Sequence, residues 1–169
     1  MKSKRLFAKF LWALLGIAAM LLLMGTAQAS AWSCIHGHSG HIEYPGRVVT
    51  MEGAHIGWGL DFDQESGLFN WVHFAVPTEF GKNTRYIALQ LLTGSVDALV
   101  DKVHIYDLNT KVREFNDLGW TGPLQVHILD LGAERAFAAL GISIQVGAGV
   151  EMMDHRFLFT GACALQDDP

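Results

Sequence analysis

The sequence predicts an all-β fold: an antiparallel β-sandwich of jelly-roll type with about eight strands and at most one short helix, preceded by a signal peptide. Three observations carry this. Residues from 45 onward break into short apolar runs rich in Val, Ile, Phe and Tyr; many of these alternate apolar with polar residues; and Gly, Pro, Asn or Asp stands in nearly every gap. Alternating βα units would need helical stretches between the runs, and these are lacking.

The first 29 residues form a secretory leader. Lys2, Lys4, Arg5 and Lys9 make a basic start, "LWALLGIAAMLLLMG" is an apolar run short for a spanning helix, and Ala27 and Ala29 supply the small-x-small cleavage pattern. Cleavage after Ala29 leaves residues 30–169 as a single domain, secreted or periplasmic, with no stable membrane insertion. Four of the 12 Lys and Arg residues leave with the leader and none of the 17 Asp and Glu, so 8 basic groups face 17 acidic ones, a net of −9. Such a surface repels phosphate backbones, which excludes nucleic acid and anionic lipid as partners and leaves carbohydrate or an envelope protein open to a monomer. Cys34 and Cys163 are the two cysteines, and in an oxidising compartment they are expected to pair and hold the ends of the domain together.

The strands follow in order. "RVVTM" (47–51), "FNWVHFAV" (69–76), "RYIALQLL" (85–92), "VDKVHIYD" (100–107), "KVREFND" (111–117), "LQVHILDL" (124–131), "GISIQVGAGV" (141–150) and "HRFLFTGACA" (155–164) are the eight. "YDLNTK" closes a hairpin between the fourth and fifth, with Asp107 and Asn109 as turn formers. Val103 and Ile105 face the core in one strand and Ile142, Ile144 and Val146 in another. Both faces of "FNWVHFAV" are largely apolar, so it is expected at the centre of its sheet, covered on both sides, with Trp71 in the core. "GAERAFAAL" (132–140) is the one segment with helix-forming composition, expected as one or two turns on the sheet or equally as a loop.

The motifs "NWVHFAVPT", "VHIYD", "LGISIQVGAGV" and "FLFTGACA" resemble those of a bacterial secreted β-sandwich domain family of unassigned function, over about residues 55 to 165. That resemblance implies the small β-sandwich and carries over no functional residue.

Four places invite a functional reading. In "CIHGHSGHI", His36 and His38 share one side of an extended segment and His41 follows a Ser-Gly turn, so the three imidazoles suit zinc or copper; the plainer alternative is a solvated terminal segment. In "LDFDQESG", Asp61, Asp63 and Glu65 space their oxygens like a calcium loop. However, Ser66 stands where an EF-hand needs glycine and Val72 where it needs glutamate, and the alternative is an acidic hairpin loop. Trp58 and Trp120 sit in Gly-flanked turns, where an indole either stacks on a sugar ring or plugs an open end of the sandwich.

His73, His104 and His127 lie within strands, where one meeting a carboxylate such as Asp107 or Asp130 in a pocket makes a hydrolase site. No nucleophile elbow, H-E-x-x-H helix, P-loop or dinucleotide fingerprint accompanies them. The sequence therefore favours an exported binding protein, for a glycan or another envelope component, over a metal carrier or an enzyme.

Overall fold

The computed structural model describes residues 30–50 and 55–168; the leader expected over residues 1–29 lies outside them. They form twelve strands and two short 3-10 turns, Gly37–Ser39 and Pro45–Arg47. None of their helices is long and apolar enough to cross a membrane.

One sheet has seven strands. Its path runs β10 (Gln125–Ala136), β7 (Asn83–Thr93), β12 (Arg156–Asp167), β5 (Gly59–Gln64) and β3 (Val48–Thr50), with β1 (Ala31–His36) on β12 and β4 (His55–Ile56) on β5. The other runs β2 (His41–Ile42), β6 (Phe69–Val76), β11 (Leu140–Ala148), β8 (Ala98–Asp107) and β9 (Thr110–Phe115). Every ladder in both is antiparallel. The predicted antiparallel sandwich is what the chain builds.

The core lies between the sheets. Val72, Phe74 and Val76 from β6, with Ile142, Ile144 and Val146 from β11, are buried against Leu89, Leu91, Phe157 and Phe159 of the facing sheet. Phe74 meets Phe159 across the layers with ring centroids 6.1 Å apart, and Phe157 stacks on Phe62 at 5.6 Å. Burying each such ring is worth roughly 1.5–3 kcal/mol, so this aromatic seam is a main reason the two sheets stay together. Cys34 and Cys163 face each other in the β1–β12 ladder and are disulfide-bonded, closing 129 residues of sequence.

Three expectations are corrected. The segment 132–140 is not helical: residues up to Ala136 continue β10 beyond a bulge between Asp130 and Arg135, and Leu140 opens β11. Nine residues are too few to hold a helix against a sheet edge that offers a ready ladder, and Gly132, at φ 84°, supplies the kink. Strand β6 is not central: it lies between the two-residue β2 and the true centre, β11, and Trp71 and His73 are half-buried on its outer side rather than in the core. Finally, the eight predicted strands become twelve through β1, β2, β4 and β5. The last of these is the acidic "LDFDQ" segment, expected as a loop, in which Leu60, Phe62 and Gln64 turn inward and Asp61 and Asp63 outward.

Candidate functional site

The outer face of the five-stranded sheet carries one row of polar side chains across its whole width. His41 of β2 pairs with His73 of β6, His73 with Ser143 of β11, Ser143 with His104 of β8, and His104 with Glu114 of β9. Period-two alternation alone produces this: with Val72 and Phe74, Ile142 and Ile144, and Val103 and Ile105 turned to the core, the residues between them must face outward.

The outward residues of β11 are small or polar, Gly141, Ser143, Gln145 and Gly147, while both neighbouring strands carry large rings. Gly141 stands between Ala75 and Tyr106, and Gln145 between Trp71 and Lys102. The result is a shallow trough along the central strand, floored by a hydroxyl and an amide. Phe69, Trp71 and His73 wall one side, and His104 and Tyr106 the other. The Trp71 and His104 rings lean over the central strand from opposite sides and touch, centroids 4.9 Å apart, so they bridge the trough at that point, and His104 meets Tyr106 edge-on at 6.4 Å.

Polar contacts fix the middle of the trough. His73 Nδ1 shares a hydrogen bond with Ser143 Oγ at 2.8 Å, and its Nε2 shares one with Glu43 Oε2 at 3.0 Å. Hydrogen bonding from Tyr44, reinforced by His73, keeps the Glu43 carboxyl below the usual carboxylate range. Burial, with the positive charges of Lys111 and Lys102 nearby, pushes the His104 imidazole down, which favours its uncharged form and a flat face for stacking.

Glu43, His73 and Ser143 thus form the linear series of a hydrolase relay. They are placed differently from one. Ser143 lies mid-strand in a sheet's central strand, where the backbone amides on both sides serve the ladders with β6 and β8 and none points at a substrate oxygen. What the series does chemically is hold the Ser143 hydroxyl in one orientation on the trough floor.

The residues singled out from sequence are dispersed. Trp58 lies on the β4–β5 turn and is 67% exposed. Trp120 bridges Val100 and stacks on His127 of β10, rings 4.0 Å apart, closing the edge of the core. Strands β10 and β5 are three apart in their sheet, so the two indoles are not brought together. His36 and His38 are adjacent, rings 4.6 Å apart, with His36 Nδ1 accepting from the His38 amide at 3.3 Å. His41 lies instead beside His73, at 6.5 Å.

Among the described residues no three His, Cys, Asp or Glu side chains are grouped to hold a metal. Asp61 forms a two-point pair with Arg156 at 2.8 and 2.7 Å, while Glu65 lies beyond the end of β5. Of the strand histidines, His73 and His104 share the trough and His127 belongs to the other sheet. Tyr106, Ser143 and Gln145 were legible as outward-facing from alternation, unlike Trp71, but none was legible as a neighbour of the others, because that depends on which strands pair.

No family model matches the chain, and no curated protein matches it. Among solved structures it is similar to a family two carbohydrate esterase from Cellvibrio japonicus, with 12% identity and a TM-score of 0.42, over 83% of this chain and 36% of that one. The chain therefore spans about a third of that enzyme's length, and at that superposition the likeness assigns nothing.

Proposed function

We propose that the chain is an exported binding module for a neutral glycan, held along the β11 trough. The observation that supports this best is the pairing of flat rings with hydrogen-bonding groups beside them: the Trp71–His104 bridge and Tyr106 stand next to Ser143 and Gln145. Sugar rings present C–H faces that stack on aromatic rings and hydroxyls that need partners at fixed positions, and the trough offers both on a rigid sheet. A neutral glycan also escapes the repulsion that the acidic surface imposes on anions. Location outside the cytoplasm is supported by the Cys34–Cys163 disulfide together with the basic-apolar leader.

The test is calorimetric titration of the purified chain with soluble hexasaccharides first selected on a glycan array. Trp71→Ala is expected to weaken binding by about tenfold or more, the scale of a lost aromatic contact of about 1.4 kcal/mol, while Trp58→Ala leaves it unchanged. The opposite ranking of those variants, or no glycan bound at millimolar concentration, sinks the proposal. A hydrolase centred on Ser143 is the second reading, favoured by the Glu43–His73–Ser143 series alone.

A further inference from the structure

A cleft of about 600 Å³ opens at the end of the sandwich where β5 runs toward β6 and β11 toward β12, a volume typical of ligand sites at roughly 300–1,000 Å³. It is separate from the trough, lined by neither its walls nor its floor. Gln64 and His155 line it, 1% and 4% exposed. Gln64 Oε1 accepts from Asn70 Nδ2 at 3.1 Å, but its Nε2 is buried without an acceptor among the described residues. His155 Nε2 lies 3.4 Å from Asp97 Oδ1, long for a hydrogen bond, and has no better partner among the described residues. Folded proteins rarely leave such groups unanswered.

Two carboxylates, Asp63 and Asp154, line the same cleft, and among the described residues no Lys or Arg does. The Arg156 guanidinium, outside the lining, is paired with Asp61 and also feels the charges of Asp63 and Asp154, to which it makes no hydrogen bond. Asp154 is held in place: its Oδ1 accepts from the Arg156 amide at 3.1 Å, and its carboxylate lies where a Cβ on Gly94 would stand, 2.1 Å away. The rim is apolar and exposed, made of Val49, Val150, Met152 and Met153. It is also braced, because Asp97 Oδ2 accepts from the Glu151 and Met152 amides at 3.1 and 3.0 Å.

We propose that this cleft is a second binding site, which takes an extended peptide segment of a partner protein carrying a lysine or arginine beside an apolar residue. The three zones ask for that chemistry: a backbone carbonyl answers the buried Gln64 amide, a side-chain cation answers Asp63 and Asp154, and an aliphatic neighbour covers the methionine rim. A saccharide fits less well, since no aromatic ring lines the cleft among the described residues.

The experiment follows amide and methyl NMR signals of the purified chain during titration with two capped pentapeptides, Gly-Leu-Lys-Leu-Gly and its Glu-for-Lys counterpart. The lysine peptide is expected to shift the Gln64 side-chain NH₂ and the Met152 and Met153 methyls. Asp63→Asn and the fully exposed Met153→Ser are each expected to weaken it, the former by about tenfold, with Trp71→Ala leaving it unaffected. Equal response to both peptides, shifts outside the cleft, or no shift at millimolar peptide overturns the proposal. So does movement of the Gln64 signals by maltohexaose instead, which assigns the cleft to a polyol. A trough that fails to bind glycan leaves this outcome untouched.

Discussion

The His73 imidazole and the Ser143 hydroxyl meet across the β6–β11 ladder at 2.8 Å, on the wet side of a sheet whose other side is core. This contact distinguishes a binding floor from an active site. A serine nucleophile needs donors waiting for the oxyanion as well as a base, and here strand pairing takes those donors. Ser143 is therefore expected to resist fluorophosphonate labelling, measured by intact mass. Ser143→Ala is expected to weaken glycan binding by roughly 0.5–1.5 kcal/mol, the net value of one hydrogen bond. Stoichiometric labelling of Ser143 in the wild type, lost in His73→Ala, would establish the hydrolase instead.

Gly37 and Gly59 both press on the carbonyl of Phe159, where an added Cβ would stand 1.8 and 2.2 Å from the oxygen. Nothing flexible can give way there, because the obstacle is backbone in the middle of β12. Gly37→Ala is expected to lower stability by about 2–4 kcal/mol through the backbone shift it forces, read as a lower midpoint in urea. Gly46→Ala, with open space at its Cβ, serves as the control and is expected to change little.

The same glycine shows where sequence reading runs out. Alternation made the core faces of β8 and β11 legible, because a period of two needs no knowledge of partners. It could also have revealed β5, whose Leu60, Asp61, Phe62 and Asp63 alternate faithfully, had the acidic residues not suggested a metal loop. By contrast, the role of Gly37 depends on Phe159, 122 positions away, and the trough depends on β6 and β8 flanking β11. Composition favoured a helix over 132–140, where pairing of β10 with β7 won instead, since tertiary pairing readily overrides weak local preference. Trp71 misled for a related reason: an apolar ring on an outward position reads as core until the layer beyond it is known to be solvent.

The disulfide gives a third prediction. Cys34 and Cys163 are cross-strand partners at the junction of the first and last strands, so the bond ties the ends of the fold without being needed to form its layers. A thiol count on denatured, unreduced protein is expected to find no free sulfhydryl. Cys34→Ser combined with Cys163→Ser is expected to cost about 2–5 kcal/mol while the far-ultraviolet β signature persists. Two reactive thiols per chain, or unchanged stability of the double variant, would remove the bridge as a stabilising element.

The last prediction concerns acid. Burial pushes the His104 and His127 imidazoles down, so each binds its proton less readily folded than unfolded. Stability from such a group is complete above the unfolded value, about 6.5, and is lost as pH falls through the folded value. Asp97, Asp130 and Glu43 are also depressed. For Asp97, burial works against the shift, but the amide of Met152 and the hydroxyl of Ser95 outweigh it; for Asp130 the Arg85 guanidinium leads. Their contribution is complete above about pH 4 and drains away below it. Thermal midpoints are therefore expected to fall in two stages on acidification, first from about pH 6.5 and again below about pH 4. His127→Phe keeps a ring for Trp120 to stack on and removes one titrating group, so it is expected to flatten the first stage and leave the second. A profile level down to pH 5, or a first stage unchanged in that variant, would show that these buried imidazoles do not carry the acid response.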